Sequence, residues 1–422
     1  MSSWLRLLAL GGVVVLSGCD LAPAYKPPAN TLPPLPASYK EGGRWQKATP
    51  GDGLPRGPWW HMYHDAMLDR LETQLLAANP TLAAAIASYN AYSDQASAVD
   101  AYLFPFVTAT GSSTRNRESL QRPLRTATQP TLYNAHTLMG EVRYEFDLWD
   151  QIHNQVAAGV ATAQAAAADL ASARLSLEAD LASSYLTLRE LDDDDQLLTE
   201  TVAAYQHYLR IVDQRHGDEI SSGLEVSQAR YQIDAAKAQE SGIRAQRAVF
   251  AHVIAALVGQ PASSFSIAPQ VMDIQVPQIP TSVPSALLQR RPDIAAAERR
   301  VAAANAQIGA ARAAFYPNLT LDAQGGFQSS DSVQLLQLPF TFWSIGPSVS
   351  LPIFEGGLLR AQLARRVAQW HMAVADYRST ALQAFQQVES GLSNVNLLTD
   401  QDIQQRQAVR DAIQTQKLSL DL

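Results

Sequence analysis

The chain has 422 residues, of which 47% are hydrophobic and only 17% charged, with a formal net charge of −8. That length allows one large or two medium domains. The negative balance, with no cluster of Lys and Arg, excludes nucleic acid as a partner, because phosphate binding needs concentrated positive charge.

Residues 1–18 read as a signal peptide: Arg6 supplies a positive start, and Leu7 to Val15 form an apolar stretch too short to span a bilayer. Leu16-Ser17-Gly18-Cys19 resembles the bacterial lipobox, in which cleavage precedes the cysteine. Cys19 is the only cysteine, so no intramolecular disulfide is possible. The expectation is a lipid on its thiol and an acyl chain on the new N-terminus, since two or more chains anchor stably where one does not. An ordinary secretory signal with a chance cysteine is the alternative. Residues 19–58 are rich in proline (Pro23, Pro27, Pro28, Pro33, Pro34, Pro36) and read as an extended tether. Beyond the signal there is no run of about twenty apolar residues, so any membrane crossing has to be made by strands.

His61 and His64 lie at helical spacing with Asp65 beside them. No third and fourth ligand follow at metal-site spacing, so a surface or capping role is expected. An internal repeat then organises the chain. Shifted by 212 positions, residues 79–108 superpose on 291–320 without a gap, and Pro80 meets Pro292 while Pro105 meets Pro317. A shift of 205 aligns Phe146-Asp147-Leu148-Trp149-Asp150 with Leu351-Pro352-Ile353-Phe354-Glu355. The expected domains are a first repeat over 59–260, a linker over 261–290 and an incomplete second repeat over 291–422. Each repeat runs helix, strand, strand, long helix.

The strands, expected at about 104–114, 136–149, 317–328 and 341–354, have period two. Leu138, Val142, Tyr144 and Phe146 alternate with Thr137, Glu141, Arg143, Glu145 and Asp147. Leu319, Leu321, Ala323 and Phe327 alternate with Thr320, Asp322, Gln324 and Gln328. About ten such residues suit a tilted membrane-spanning strand. A soluble half-buried sheet is the alternative, but the charged face of Glu141, Arg143, Glu145 and Asp147 suits a wet lumen. Four strands cannot close a barrel, and open edges are forbidden in lipid, so the membrane reading requires several copies. From Gln151 to about His216 no proline occurs; roughly 66 helical residues would extend about 100 Å. A second long helix is expected from about 358.

These motifs, in this order, resemble the TolC-like outer membrane efflux proteins, especially the NodT-type lipoprotein branch serving resistance-nodulation-division pumps. The carriers are Trp59 to Leu71, Asn79-Pro80-Thr81-Leu82, Phe104-Pro105, Tyr316-Pro317 and Leu351-Pro352-Ile353-Phe354-Glu355-Gly356-Gly357. The resemblance implies a mixed α/β membrane protein: a homotrimeric, twelve-stranded outer-membrane β-barrel continued by a long periplasmic α-helical barrel. It also implies outer-membrane localisation in contact with lipid, docking to a periplasmic adaptor and, through it, an inner-membrane pump. The turn at Gly217, Asp218, Glu219, Ser222, Leu224, Glu225 and Val226 would be the periplasmic tip that meets the adaptor. Glu219 stands where the family usually has glycine, unless the turn register shifts to Gly217. Asp218, Glu219 and Glu225 would ring the tip with carboxylates; a solvated acidic turn is the plainer reading. By the repeat, a returning helix is expected to follow the second long helix, and Leu422 is expected to fall before it.

No nucleotide loop or nucleophile motif occurs, so no enzyme activity and no cofactor beyond the lipid on Cys19 are expected. Asp192 to Asp195 read as a solvated or lumen-facing acidic stripe. The rival functions are the outer-membrane part of type I protein secretion, a periplasmic adaptor lipoprotein and a non-transporting coiled-coil lipoprotein.

Overall fold

The computed structural model describes residues 20–28, 57–121, 126, 128–272 and 291–420. The chain divides into two compact units. One contains the described residues of 1–35, 90–166 and 294–384; the other contains those of 36–89, 167–293 and 385–422.

Helix formation starts where side chains can satisfy the first free N–H groups. Asp65 caps α1 (Ala66–Ala78), its carboxylate accepting from the N–H of Met67 at 2.7 Å and of Leu68 at 2.9 Å. Asp65 is thus a helix cap, in line with the expected surface or capping role. His64 beside it takes a left-handed φ of 51°, and His61 reaches Asp69 at 3.4 Å. Leu68, Leu71, Glu72 and Leu75 form the buried stripe of α1. Asn79 ends it, because a residue before proline avoids helical geometry. Asn79 then restarts the chain: its Oδ1 accepts from Leu82 N at 2.9 Å, and α2 (Pro80–Asp100) begins on Pro80.

Four long or medium helices follow in chain order: α3 (Gln151–Gly217), α4 (Gly223–Leu257), α5 (Pro292–Ala313) and α6 (Leu358–Leu420). The 67 residues of α3 extend about 100 Å at 1.5 Å per residue. Small residues let its neighbours come close: Gly159 lies where an added Cβ would be 3.4 Å from the Ala96 Cα of α2. α6 follows Gly356 and Gly357, whose φ values of 61° and 91° suit residues without a Cβ. At the equivalent entry to α3, Asp150 takes φ 51°. Among the described residues no helix is long and apolar enough to cross a membrane.

The first unit carries one antiparallel sheet in the order β1 (Phe106–Arg117), β2 (Leu132–Phe146), β3 (Asn318–Ser329) and β4 (Thr341–Ser350). β1 and β2 extend past the apolar alternation, pairing as far as Arg117 with Leu132. β4 stops at Ser350, before Pro352, which has no N–H to give a ladder. Pro347 sits within β4, where an edge strand tolerates it. In the same unit, Ala297 and Val301 of α5 pack with Tyr377 of α6.

In the second unit, Trp60, Leu68, Leu71, Leu75, Leu181, Tyr185, Leu188, Ile254 and Val258 form the core. The acidic run departs from expectation here: it is a tie rather than a solvated or lumen-facing stripe. Asp192 is buried with Arg189, Nη1 to Oδ2 2.8 Å, and also pairs with Arg247 of α4. Asp193 accepts from Met272 N at 2.8 Å, and Asp195 holds Arg244 at 2.7 Å. Of the opposite charges that fix this run, Arg189 lies on the same helix, and Arg244 and Arg247 come from a helix some fifty positions later.

Candidate pore wall, tip and anchor region

The register of the sheet sorts its residues into rows. Residues opposite one another in an antiparallel pair point to the same face. Val107, Val142, Ala323 and Ile345 form one row, and Ala109, Gly140, Gly325 and Trp343 form another. Tyr144, Leu321 and Pro347, then Phe146, Leu319 and Val349, continue this apolar face. Towards the sheet edges its side chains are bare in the single chain, with Val107, Ile345 and Val349 exposed and Trp343 78% exposed, while Tyr144, Phe146, Leu319 and Leu321 are half-buried.

The rows between belong to the other face. Thr108, Glu141, Gln324 and Ser344 make one; Glu145, Thr320 and Ser348 make another. Between them Arg143 stands opposite Asp322, Nε to Oδ1 2.9 Å. Three of the four charged residues singled out in the sequence, Glu141, Arg143 and Glu145, therefore share one polar face. Asp147 does not belong with them. β2 ends at Phe146, and the Asp147 side chain, only 8% exposed, accepts from the N–H of His153 at 2.7 Å and from its ring at 2.7 Å. It caps the start of α3, because four free N–H groups there attract a carboxylate. Asp147, Asp150 and His153 bring ligand-type atoms within 4.8 Å of one another; the capping bonds account for that grouping. At the same level Trp149 donates to Pro317 O at 2.9 Å and stacks on Tyr316 at 4.7 Å.

Cys19 lies outside the described residues. The segment just after it is held along the first unit by contacts between residues far apart in the sequence. Asp20 Oδ1 accepts from Ala22 N at 2.8 Å and from Asn154 Nδ2 at 3.0 Å. Arg312 donates to Leu21 O at 3.3 Å, Asn305 to Pro23 O at 2.8 Å, and Tyr25 hydrogen-bonds Glu298. Gly309 makes room for it: an added Cβ would lie 2.7 Å from Ala22 Cβ.

In the second unit, α3 and α4 meet at the turn 218–222. Ile220 N reaches Arg215 O at 2.8 Å and Glu219 N reaches His216 O at 3.0 Å. That pair of bonds ends a helix with one left-handed residue. The residue is Glu219, φ 61°, and not Gly217, which settles the turn register. Ser222 then caps α4, accepting from Glu225 N at 3.4 Å, and His216 Nδ1 lies 2.7 Å from Ser221 O. Asp218, Glu219, Leu224 and Glu225 are exposed, while Val226 packs inward. A left-handed conformation strains a residue with a Cβ by about 1 kcal/mol or more. Glu219→Gly is therefore expected to stabilise the turn by about 1 kcal/mol. Slower amide exchange at residues 219–223 would show it; unchanged or faster exchange would refute it.

Comparisons with known proteins converge. A family model described as outer membrane efflux protein matches residues 71–260 and 283–420. The probable efflux pump outer membrane protein TtgC of Pseudomonas putida is 31% identical over 402 residues, covering 95% of this chain and 81% of that protein. The pyoverdine export outer membrane protein OpmQ of Pseudomonas aeruginosa is 27% identical over 413 residues, covering 96% and 85%. Among solved structures, the outer membrane protein VceC of Vibrio cholerae superposes with a TM-score of 0.79 at 29% identity, covering 86% of each chain.

Proposed function

The chain belongs to the outer membrane efflux protein family, and from that premise we propose that it forms, as a trimer, the passive outer-membrane exit duct of a tripartite efflux system. The observation that carries the proposal is the sheet: four strands with one apolar face, one charged face and two unpaired edges, β1 and β4. In lipid each unpaired N–H and C=O costs several kcal/mol, so spanning sheets close. Three copies supply twelve strands, an even number within the range of such barrels. The face of Val142, Ile345 and Trp343 then meets lipid. The face of Glu141, Arg143 and Glu145 lines the lumen.

The long helices form the periplasmic tube, and the turn at Gly217, Asp218, Glu219, Ser222, Leu224, Glu225 and Val226 meets a periplasmic adaptor. Exposed Ile220 and Leu224 give that contact apolar area, and the carboxylates give it charge. An inner-membrane pump of the resistance-nodulation-division class supplies the energy. A lipid on Cys19 tethers the chain beside its own barrel, with residues 20–25 bound along the first unit.

Per copy, the lumen face carries Glu141, Glu145 and Asp322 against Arg143 alone, an excess of negative charge that favours cations. Purified protein reconstituted in planar bilayers is expected to conduct and to prefer cations. The double variant Glu141→Gln, Glu145→Gln should keep its conductance and lose a several-fold part of that preference, most clearly at low salt. Failure of the unaltered protein to form channels would reject the duct. An unchanged preference would remove these residues from the lumen.

A further inference from the structure

Glu72 sits on the apolar stripe of α1, fully buried, with Leu68, Leu71 and Leu75 for company. Among the described residues, neither of its carboxylate oxygens has a hydrogen-bond partner. Across from it α3 presents a second buried carboxylate, Glu178, whose Oε1 is 2.7 Å from Arg174 Nε. Two carboxyl groups thus share one guanidinium, and the hydrogen bond goes to Glu178. Among the described residues, the charges acting on Glu72 are Glu178 and Arg174, both from α3. On its own helix Asp69 lies one turn earlier, next to His61 of the short turn 59–63.

An ionised carboxylate without partners is one of the most costly groups to bury, and such a group takes up a proton instead. We propose that Glu72 is a proton-operated latch between α1 and α3. When neutral it lies in the core as a compact polar side chain. When ionised it carries the same charge as Glu178 and loosens the two helices. Burial first, and Glu178 second, push the Glu72 carboxyl up to about 8, with Arg174 acting in the opposite direction. An acid raised in the folded state favours folding fully below its ordinary range. That contribution declines as pH rises from about 4.5 through about 8. This contribution therefore holds the two helices most firmly on the acid side, weakens through neutrality and is gone above about pH 8.

The test uses the purified full chain in detergent. Thermal melts followed by helical circular dichroism should show the unaltered protein losing several degrees of midpoint between about pH 6 and pH 9 beyond what Glu72→Gln loses. Infrared difference spectra should show the carbonyl stretch of a protonated buried carboxyl at pH 7, absent from Glu72→Gln and fading in alkali. Should Glu72→Gln fail to fold, Glu178→Gln decides: it removes the like charge and frees Arg174, so the band should vanish at a lower pH than in the unaltered protein. No protonated carboxyl at pH 7, a Glu72→Gln melt that tracks the parent at every pH, or an unmoved band in Glu178→Gln would each overturn the latch.

Discussion

Asp192→Ala is expected to lower stability by about 3–5 kcal/mol, the usual result of removing one partner from a buried ion pair. The side chains of Asp192 and Arg189 are each 2% exposed. Asp192 answers two guanidiniums, Arg189 and Arg247, and also accepts from Gln270 N at 3.2 Å. The guanidiniums are themselves anchors: Arg189 donates to Ala268 O at 3.0 Å and Arg247 to Ile267 O at 2.8 Å. Without Asp192, Arg189 and Arg247 lose the carboxylate they share, and the segment 267–272 loses the group that gathers it to α3. Tyr185 cannot compensate. Burial pushes its phenol up to about 12, so it stays neutral, donating to Asp65 at 2.7 Å and accepting from Arg189 at 3.1 Å. The loss would appear as a lowered midpoint of the helical circular dichroism signal. Replacing Asp192, Arg189 and Arg247 together with apolar residues of similar volume should recover much of it, because the cost lies in the orphaned charges. A single-variant loss below about 1 kcal/mol would mean that the network is wet.

The second large effect belongs to the sheet. Gly326 of β3 faces Met139 of β2, and a Cβ added at Gly326 would fall 2.6 Å from the Met139 Cα, and nearer still to the Leu138 carbonyl. Backbone atoms of a neighbouring strand cannot turn aside as a side-chain tip can. Gly326→Leu should therefore cost about 1–3 kcal/mol or more in each copy, through forced separation of β2 from β3. Because a spanning sheet tolerates no gap, the expected outcome is loss of the SDS-resistant, heat-modifiable species on unboiled gels. Gly346→Ala is the matched control in the same sheet: its Cβ would meet nothing within 4 Å, and assembly should survive. Normal assembly of Gly326→Leu would show that β2 and β3 do not pair in this register.

Much of this architecture was readable because its signals are local. Period two placed Val142 and Glu141 on opposite faces without knowledge of any partner strand. The proline-free run after Gln151 announced a long helix, and the resemblance told which family assembles such parts. The features that escaped depend on distant residues. Asp192 reads as part of a solvated or lumen-facing stripe because Arg247 comes fifty-five positions later. Asp147 continued the alternation of Glu141, Arg143 and Glu145, yet the chain had already turned into α3, where helix N–H groups claimed it. Glu72 reads as an ordinary polar helix residue until α3 is laid against it. Asp20 is separated by 134 positions from Asn154, the side chain it meets. The turn at 218–222 was ambiguous between Gly217 and Glu219, since glycine is the cheaper occupant of a left-handed site, and here the chain uses glutamate.

The two raw margins of the sheet carry a kinetic consequence. A lone subunit offers β1 and β4 as templates to any extended peptide it meets, and so is a hazard until its sisters arrive. Maturation of the duct then becomes a higher-order reaction, steeply dependent on local abundance and on whatever escorts protect those margins in transit. Tethering to one membrane surface, which turns a search through volume into a search across a plane, would shorten that exposed interval.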